Sequence, residues 1–159
     1  MRRRHGQYLF LLALGVITFG LAAPAYALDG PLELRFIEQT TSEAYIDAGD
    51  PGESAGDSIV FTNRLVNAQA QLGKPRGAAV GRDAVRVTFI ARGFAEIAGT
   101  AFLPNGKIVV AGAVRESAGA DYIPVVGGTG TYANARGVVI VRDLPNDRTL
   151  LTFRLRPGG

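Results

Sequence analysis

A chain of 159 residues with 17 Lys and Arg against 14 Asp and Glu, one histidine and no cysteine has room for one domain with one core. Disulfides, a lipid-modified cysteine and thiol catalysis are excluded outright. Three of the basic residues are Arg2, Arg3 and Arg4, ahead of a long apolar run, and the chain beyond them is formally neutral at 14 against 14. That balance argues against nucleic acid or an anionic membrane as a partner, both of which want a basic patch.

Residues 1–27 have the three parts of a secretory signal: the arginines, an apolar run from Tyr8 to Ala23, and small residues Ala25 and Ala27 in an A-Y-A cleavage site. The uninterrupted apolar core is short of the ~20 residues a spanning helix wants. The expectation is a signal peptide over 1–27, a mature domain over 28–159, a secreted or extracytoplasmic destination and no stable membrane insertion. Cleavage would remove His5, the only histidine, and Met1, the only methionine. Ser-His-Asp and Cys-His chemistry and the usual zinc and copper sites leave with them, so no metal and no cofactor is expected.

The mature domain reads as strands throughout. Leu32 to Thr40 alternates, with Leu34, Phe36 and Glu38 on one face and Glu33, Arg35, Ile37 and Gln39 on the other. A polar, glycine-rich loop covers Thr41 to Gly56. Its Asp47-Ala48-Gly49-Asp50-Pro51-Gly52-Glu53 segment offers oxygen ligands but lacks the ordered spacing of a calcium loop, and reads as a solvated acidic turn. Asp57 to Val66 is the second strand, and Asp83 to Ala91 the third, with Val85, Val87 and Phe89 on one face. Phe94 to Leu103 and Lys107 to Arg115 form a hairpin whose Asn105-Gly106 supplies the positive φ of a tight turn. Tyr122 to Val126, Gly137 to Asp143 and Thr149 to Arg156 complete eight strands, the last two joined by a turn at Pro145-Asn146-Asp147. Eight short strands with turn punctuation predict a barrel or a sandwich, and periodicity alone does not choose.

Between the sixth and seventh strands stands P-V-V-G-G-T-G-T-Y-A-N-A-R-G, Pro124 to Gly137. Gly130 is followed by Thr131 and Tyr132 rather than Lys-Ser/Thr, and Ala133 stands where a dinucleotide fingerprint needs glycine, so a phosphate cradle is a poor reading. Three glycines in four residues suit a sharply constrained corner instead. With Tyr132 and Ala135-Arg136-Gly137, the stretch resembles the signature of plant dirigent proteins and, more loosely, the corner of allene oxide cyclases. Gly56-Asp57-Ser58-Ile59-Val60-Phe61-Thr62-Asn63-Arg64-Leu65 is similar to the G-D-x-x-x-F-T-N-x-L strand of allene oxide cyclases. The resemblance implies an all-β fold, an eight-stranded antiparallel β-barrel of the calycin type, and a homotrimer.

The site that the resemblance implies rests on the same residues. In allene oxide cyclases a strand-one glutamate helps open an epoxide and the asparagine of F-T-N holds a water at its oxygen. Asn63 matches that asparagine by motif. Glu38 matches the glutamate by strand and face, whereas an ungapped register selects Glu33. Arg136 and Asp121 correspond to dirigent residues near a phenolic ligand, although Thr131 stands where some dirigent proteins have an aspartate. Glu38, Asn63 and Arg136 are therefore the catalytic candidates. Leu34, Phe36, Phe61, Asp121 and Tyr132 are the expected pocket lining, with Tyr132 at one end of the barrel. The function expected is binding of a hydrophobic small molecule, with steering of a non-redox cyclisation or isomerisation. A carrier using the same cavity without chemistry is the rival, and a purely structural envelope protein the third reading.

Overall fold

The computed structural model describes residues 28–115, 119–146 and 148–158, so the signal-peptide reading of 1–27 and Asp147 of the last turn lie outside the described residues. Eight strands run β1 (Leu32–Ile46), β2 (Ser58–Asn67), β3 (Ala79–Ala91), β4 (Phe94–Leu103), β5 (Gly106–Arg115), β6 (Asp121–Gly130), β7 (Arg136–Leu144) and β8 (Arg148–Arg156). Each pairs antiparallel with its neighbour in sequence, and β8 pairs back onto β1 to close the barrel. Closure leaves no free sheet edge, which is how an all-β chain avoids edge-to-edge association. The eight expected strands are all present, in the expected order, and the fold is an all-β barrel.

Alternation decides what faces in. Leu34, Phe36 and Leu65 are buried, as are Ile108, Val139, Leu151, Phe153 and Leu155, each the inward member of its pleat. They divide along the barrel axis. Leu34, Phe36, Leu65, Ile108, Phe153 and Leu155 crowd one end beneath Tyr132, which is 1% exposed. There the Phe36 and Phe153 rings meet edge to face at 6.0 Å between centroids. Truncating a ring such as Phe36 to alanine is of the kind that costs about 3–5 kcal/mol. The other end, where the β1–β2, β3–β4 and β7–β8 connections lie, is not filled.

Three features differ from the sequence reading, the simplest being that β3 begins at Ala79 and not at Asp83. β1 does not stop at Thr40 but runs to Ile46, because the pairing with β2 slips by one residue between Thr40 and Ser42. The extra residue, Thr41, is tied across by its hydroxyl, which donates to the Thr62 carbonyl at 2.7 Å. A bulge of this kind breaks the alternation and so hides the continuation of the strand. The glycine stretch is likewise a strand end and not a loop: Gly127 and Gly128 pair within the sheet, and a register slip between Val109 and Val110 leaves Val126 as an extra residue. The chain reverses after Gly130, whose φ of 61° is left-handed. A Cβ on Gly128 would meet the Tyr132 carbonyl and lie 2.7 Å from that of Lys107.

Candidate functional site

The unfilled end of the barrel is a cavity of about 320 Å³. Its walls are chiefly aliphatic, with Val85, Val87, Ile97, Val110, Val139, Val141 and Leu151, plus the rings of Phe61 and Phe153. Against this lining stand Glu38, Asn63 and Asp83 from three successive strands. The sheet sets them side by side. Asn63 pairs in register with Asp83 on one side and Thr40 on the other, and Glu38 lies two residues before Thr40 on the same face of β1.

The three side chains form one cluster. Asn63 Nδ2 donates to Glu38 Oε1 and to Asp83 Oδ1, each at 2.7 Å. Both amide hydrogens are thereby used, and the amide is fixed with its oxygen turned the other way. Asn63 Oδ1 is buried and has no hydrogen-bond partner. Asn63 and Asp83 are each 4% exposed, while Glu38 is half-buried.

Burial pushes the Glu38 carboxyl from 4.5 up to about 8, and the neighbouring Asp83 charge, a hydrogen bond with Asp83 and the more distant Asp143 push the same way. Asn63 pulls against them by donating to the ionised form. Asp83 is also raised by burial, with Glu38 and Asn63 pulling it down. Two carboxyl groups this close titrate as a pair, and the direction for the pair is retention of a proton, held chiefly on Glu38, at neutral pH. The cluster can therefore give a proton and hold a negative charge on Asp83.

Glu38 and Asn63 are brought together at the cavity wall, with Phe61 beside them. Glu33, the other acid weighed for strand one, lies on the outer face, exposed and paired with Arg154 at 3.2 Å. Leu34, Phe36 and Tyr132 share the inward face but sit in the filled end, so they plug the barrel rather than line its cavity. Arg136 is corrected more strongly: it is exposed, its strand parity is opposite to the inward Val139, and its guanidinium donates to the Ala135 carbonyl at 3.0 Å. Asp121 lies outside the cavity, in a second pocket with Glu53, Phe89 and Phe94, where burial and Asp143 raise its carboxyl.

Sequence reasoning missed Asp83 and Asp143. Asp83 has the parity of Val85 and Val87, and Asp143 that of Val139 and Val141, so both inward positions were visible in the pattern. It also missed Asp57. This fully buried carboxylate accepts from Tyr45 Oη at 2.8 Å, the Ala48 amide at 2.8 Å, the Ser54 amide at 2.7 Å and Ser54 Oγ at 3.1 Å. The Ala48 amide first, then the Tyr45 hydroxyl, hold it down at about 2, and the same bond pushes Tyr45 up to about 12. Asp57 thus fixes the β1–β2 loop at the open end, while Asp47, Asp50 and Glu53 of that loop are exposed.

A closed eight-stranded antiparallel barrel, filled at one end and hollow at the other with acids on its wall, is the class of protein that fold and site define. No family model matches the chain, and no curated protein does. Solved structures with this fold are found. A pyocyanin demethylase superposes with a TM-score of 0.65 at 23% identity, over 78% of this chain and 99% of that one. A Diels-Alderase from Streptomyces koyangensis gives 0.63 at 18% identity over 80% of this chain, which spans only 64% of that protein's length. A pterocarpan synthase dirigent protein gives 0.59 at 14% identity, over 79% and 87%. At these identities the likeness is one of fold.

Proposed function

We propose that this barrel belongs with the allene oxide cyclase-like and dirigent-like proteins and binds a small, largely apolar molecule in its cavity. We further propose that it acts in the extracytoplasmic space after loss of residues 1–27, and that it steers a non-redox cyclisation or isomerisation. The observation that carries the chemical part is the Glu38–Asn63–Asp83 cluster, a proton-holding carboxyl pair bridged by one amide on an otherwise greasy wall. Buried polar groups are costly when incompletely paired, and such costs concentrate where a site needs them.

In this reading the ligand's skeleton fills the aliphatic part of the cavity and its polar group meets Glu38 and Asn63. The walls restrict the skeleton to conformers folded for ring closure. Glu38, still protonated near neutrality, gives its proton to an oxygen whose bond to carbon is breaking. Asp83, across Asn63, offsets positive charge that develops in the skeleton. Ring closure onto the cationic carbon then leaves one proton in excess, and its loss from the product to the Glu38 carboxylate restores the acid.

The test begins with a mass-spectrometric inventory of small molecules that copurify with the native protein, followed by turnover assays on those found. Glu38→Gln keeps shape and removes the proton, and should lower turnover by ~10²-fold or more with binding largely kept. A change in affinity with no reaction in either protein would favour the carrier reading.

A further inference from the structure

The charge of the cavity is one-sided. Its lining includes three carboxyl groups, Glu38, Asp83 and Asp143, and, among the described residues, no lysine, arginine or histidine. The arginines next in sequence to inward positions, Arg64, Arg82 and Arg142, fall on the opposite side of the pleat and are exposed. Asn63 adds to the asymmetry. Its two hydrogens are spent on Glu38 and Asp83, so the amide has no donor left for an anion. An anion in this cavity would face carboxyl groups with no cation to meet it, whereas a ligand N–H can donate to their oxygens.

We infer that the ligand carries a protonatable nitrogen, as an amine or a basic N-heterocycle on a compact apolar skeleton, with its N–H and its positive charge facing Glu38 and Asp83. This names the substrate class for the function proposed above and rests on the cavity being the ligand site. The groups that face Glu38 are Asn63 from β2, Asp83 from β3, Asp143 from β7 and the uncharged Thr149 opposite it on β8. None of these is a cation, so at neutral pH a bound cation is met by the charge on Asp83 while Glu38 keeps the proton that the proposed reaction uses, and ionisation of Glu38 at higher pH adds a second negative charge facing it. Affinity for a cation therefore rises as pH approaches the range where Glu38 ionises, and affinity for a neutral ligand does not.

Three probes with one ring system separate charge from shape: naphthylmethylamine, naphthylmethanol and naphthoate, titrated calorimetrically into the mature protein. The amine should bind ~10-fold or more tightly than the alcohol, with naphthoate weakest. The amine should also gain several-fold between about pH 6 and about pH 8 while the alcohol stays level. Glu38→Gln/Asp83→Asn, isosteric at both positions, should bring the amine down to the alcohol. Val85→Trp, which fills the cavity, should abolish binding of all three. If the alcohol or naphthoate binds as tightly as the amine in the wild type, the nitrogen inference falls while the cavity reading stands. If no probe binds, or binding survives Val85→Trp, both fall.

Discussion

Glu38 is an acid placed where water would normally keep it ionised and the barrel does not. A carboxyl whose folded-state pKa stands above its unfolded one holds a proton that the unfolded chain has released. Its stabilising effect is complete below about 4.5 and is lost as pH rises toward about 8. Asp57 works in the opposite window: held near 2 by its donors, it stabilises above the ordinary carboxylate range and loses that effect only as pH falls through its own pKa. Denaturant midpoints measured between about pH 5 and about pH 8.5 should therefore fall for the wild type relative to Glu38→Gln, which has no proton to lose. Parallel curves for the two proteins would show that Glu38 titrates like a surface acid. Asp57→Asn should show its deficit at neutral pH and lose it in acid, the reverse of the Glu38 pattern.

At the level of elements, the glycines of β6 are not equivalent. A methyl group on Gly128 would run into the Tyr132 and Lys107 carbonyls, which belong to the backbone and cannot step aside, whereas one on Gly127 would find only the tip of Arg136, 4.0 Å away. Gly128→Ala should cost about 2 kcal/mol or more and Gly127→Ala stay within about 0.5 kcal/mol, read from urea unfolding. Equal costs would mean that the corner is not closed by those carbonyls. The eight strands and their order were legible because most of them alternate over several residues and end close to Gly, Pro or Asn. β1 was cut short because the bulge at Thr41 shifts the alternation by one residue, which a period-two pattern reads as an ending. Face was legible where depth was not. The pattern put Leu34, Phe36 and Glu38 on one side, but which lies in the plug and which in the cavity depends on the end at which the barrel fills. Asp83 was passed over because an acid at a strand's start looks like turn punctuation, although its parity with Val85 and Val87 already turned it inward. Arg136 was carried by its A-R-G motif against its own parity.

On the scale of the whole molecule, the barrel has a filled end and a hollow one. The Phe36–Phe153 pair and Tyr132 close one side, which leaves the open end as the route for the ligand proposed above. The proposed export predicts that secreted protein begins at Leu28, with intact mass as the check. Material that retains residues 1–27 in the membrane would count against it. The homotrimer implied by the dirigent and cyclase resemblance predicts a light-scattering mass near three chains at micromolar concentration, and a monomer would remove it. The central claim is that Glu38 holds its proton inside a cavity that a ligand enters, and isotope-edited NMR of the Glu38 carboxyl, titrated with and without saturating naphthylmethanol, tests it most directly. A midpoint near 8 is expected in the free protein, with a displaced resonance when the probe is bound. A midpoint near 4.5, with a resonance indifferent to the probe, would contradict it.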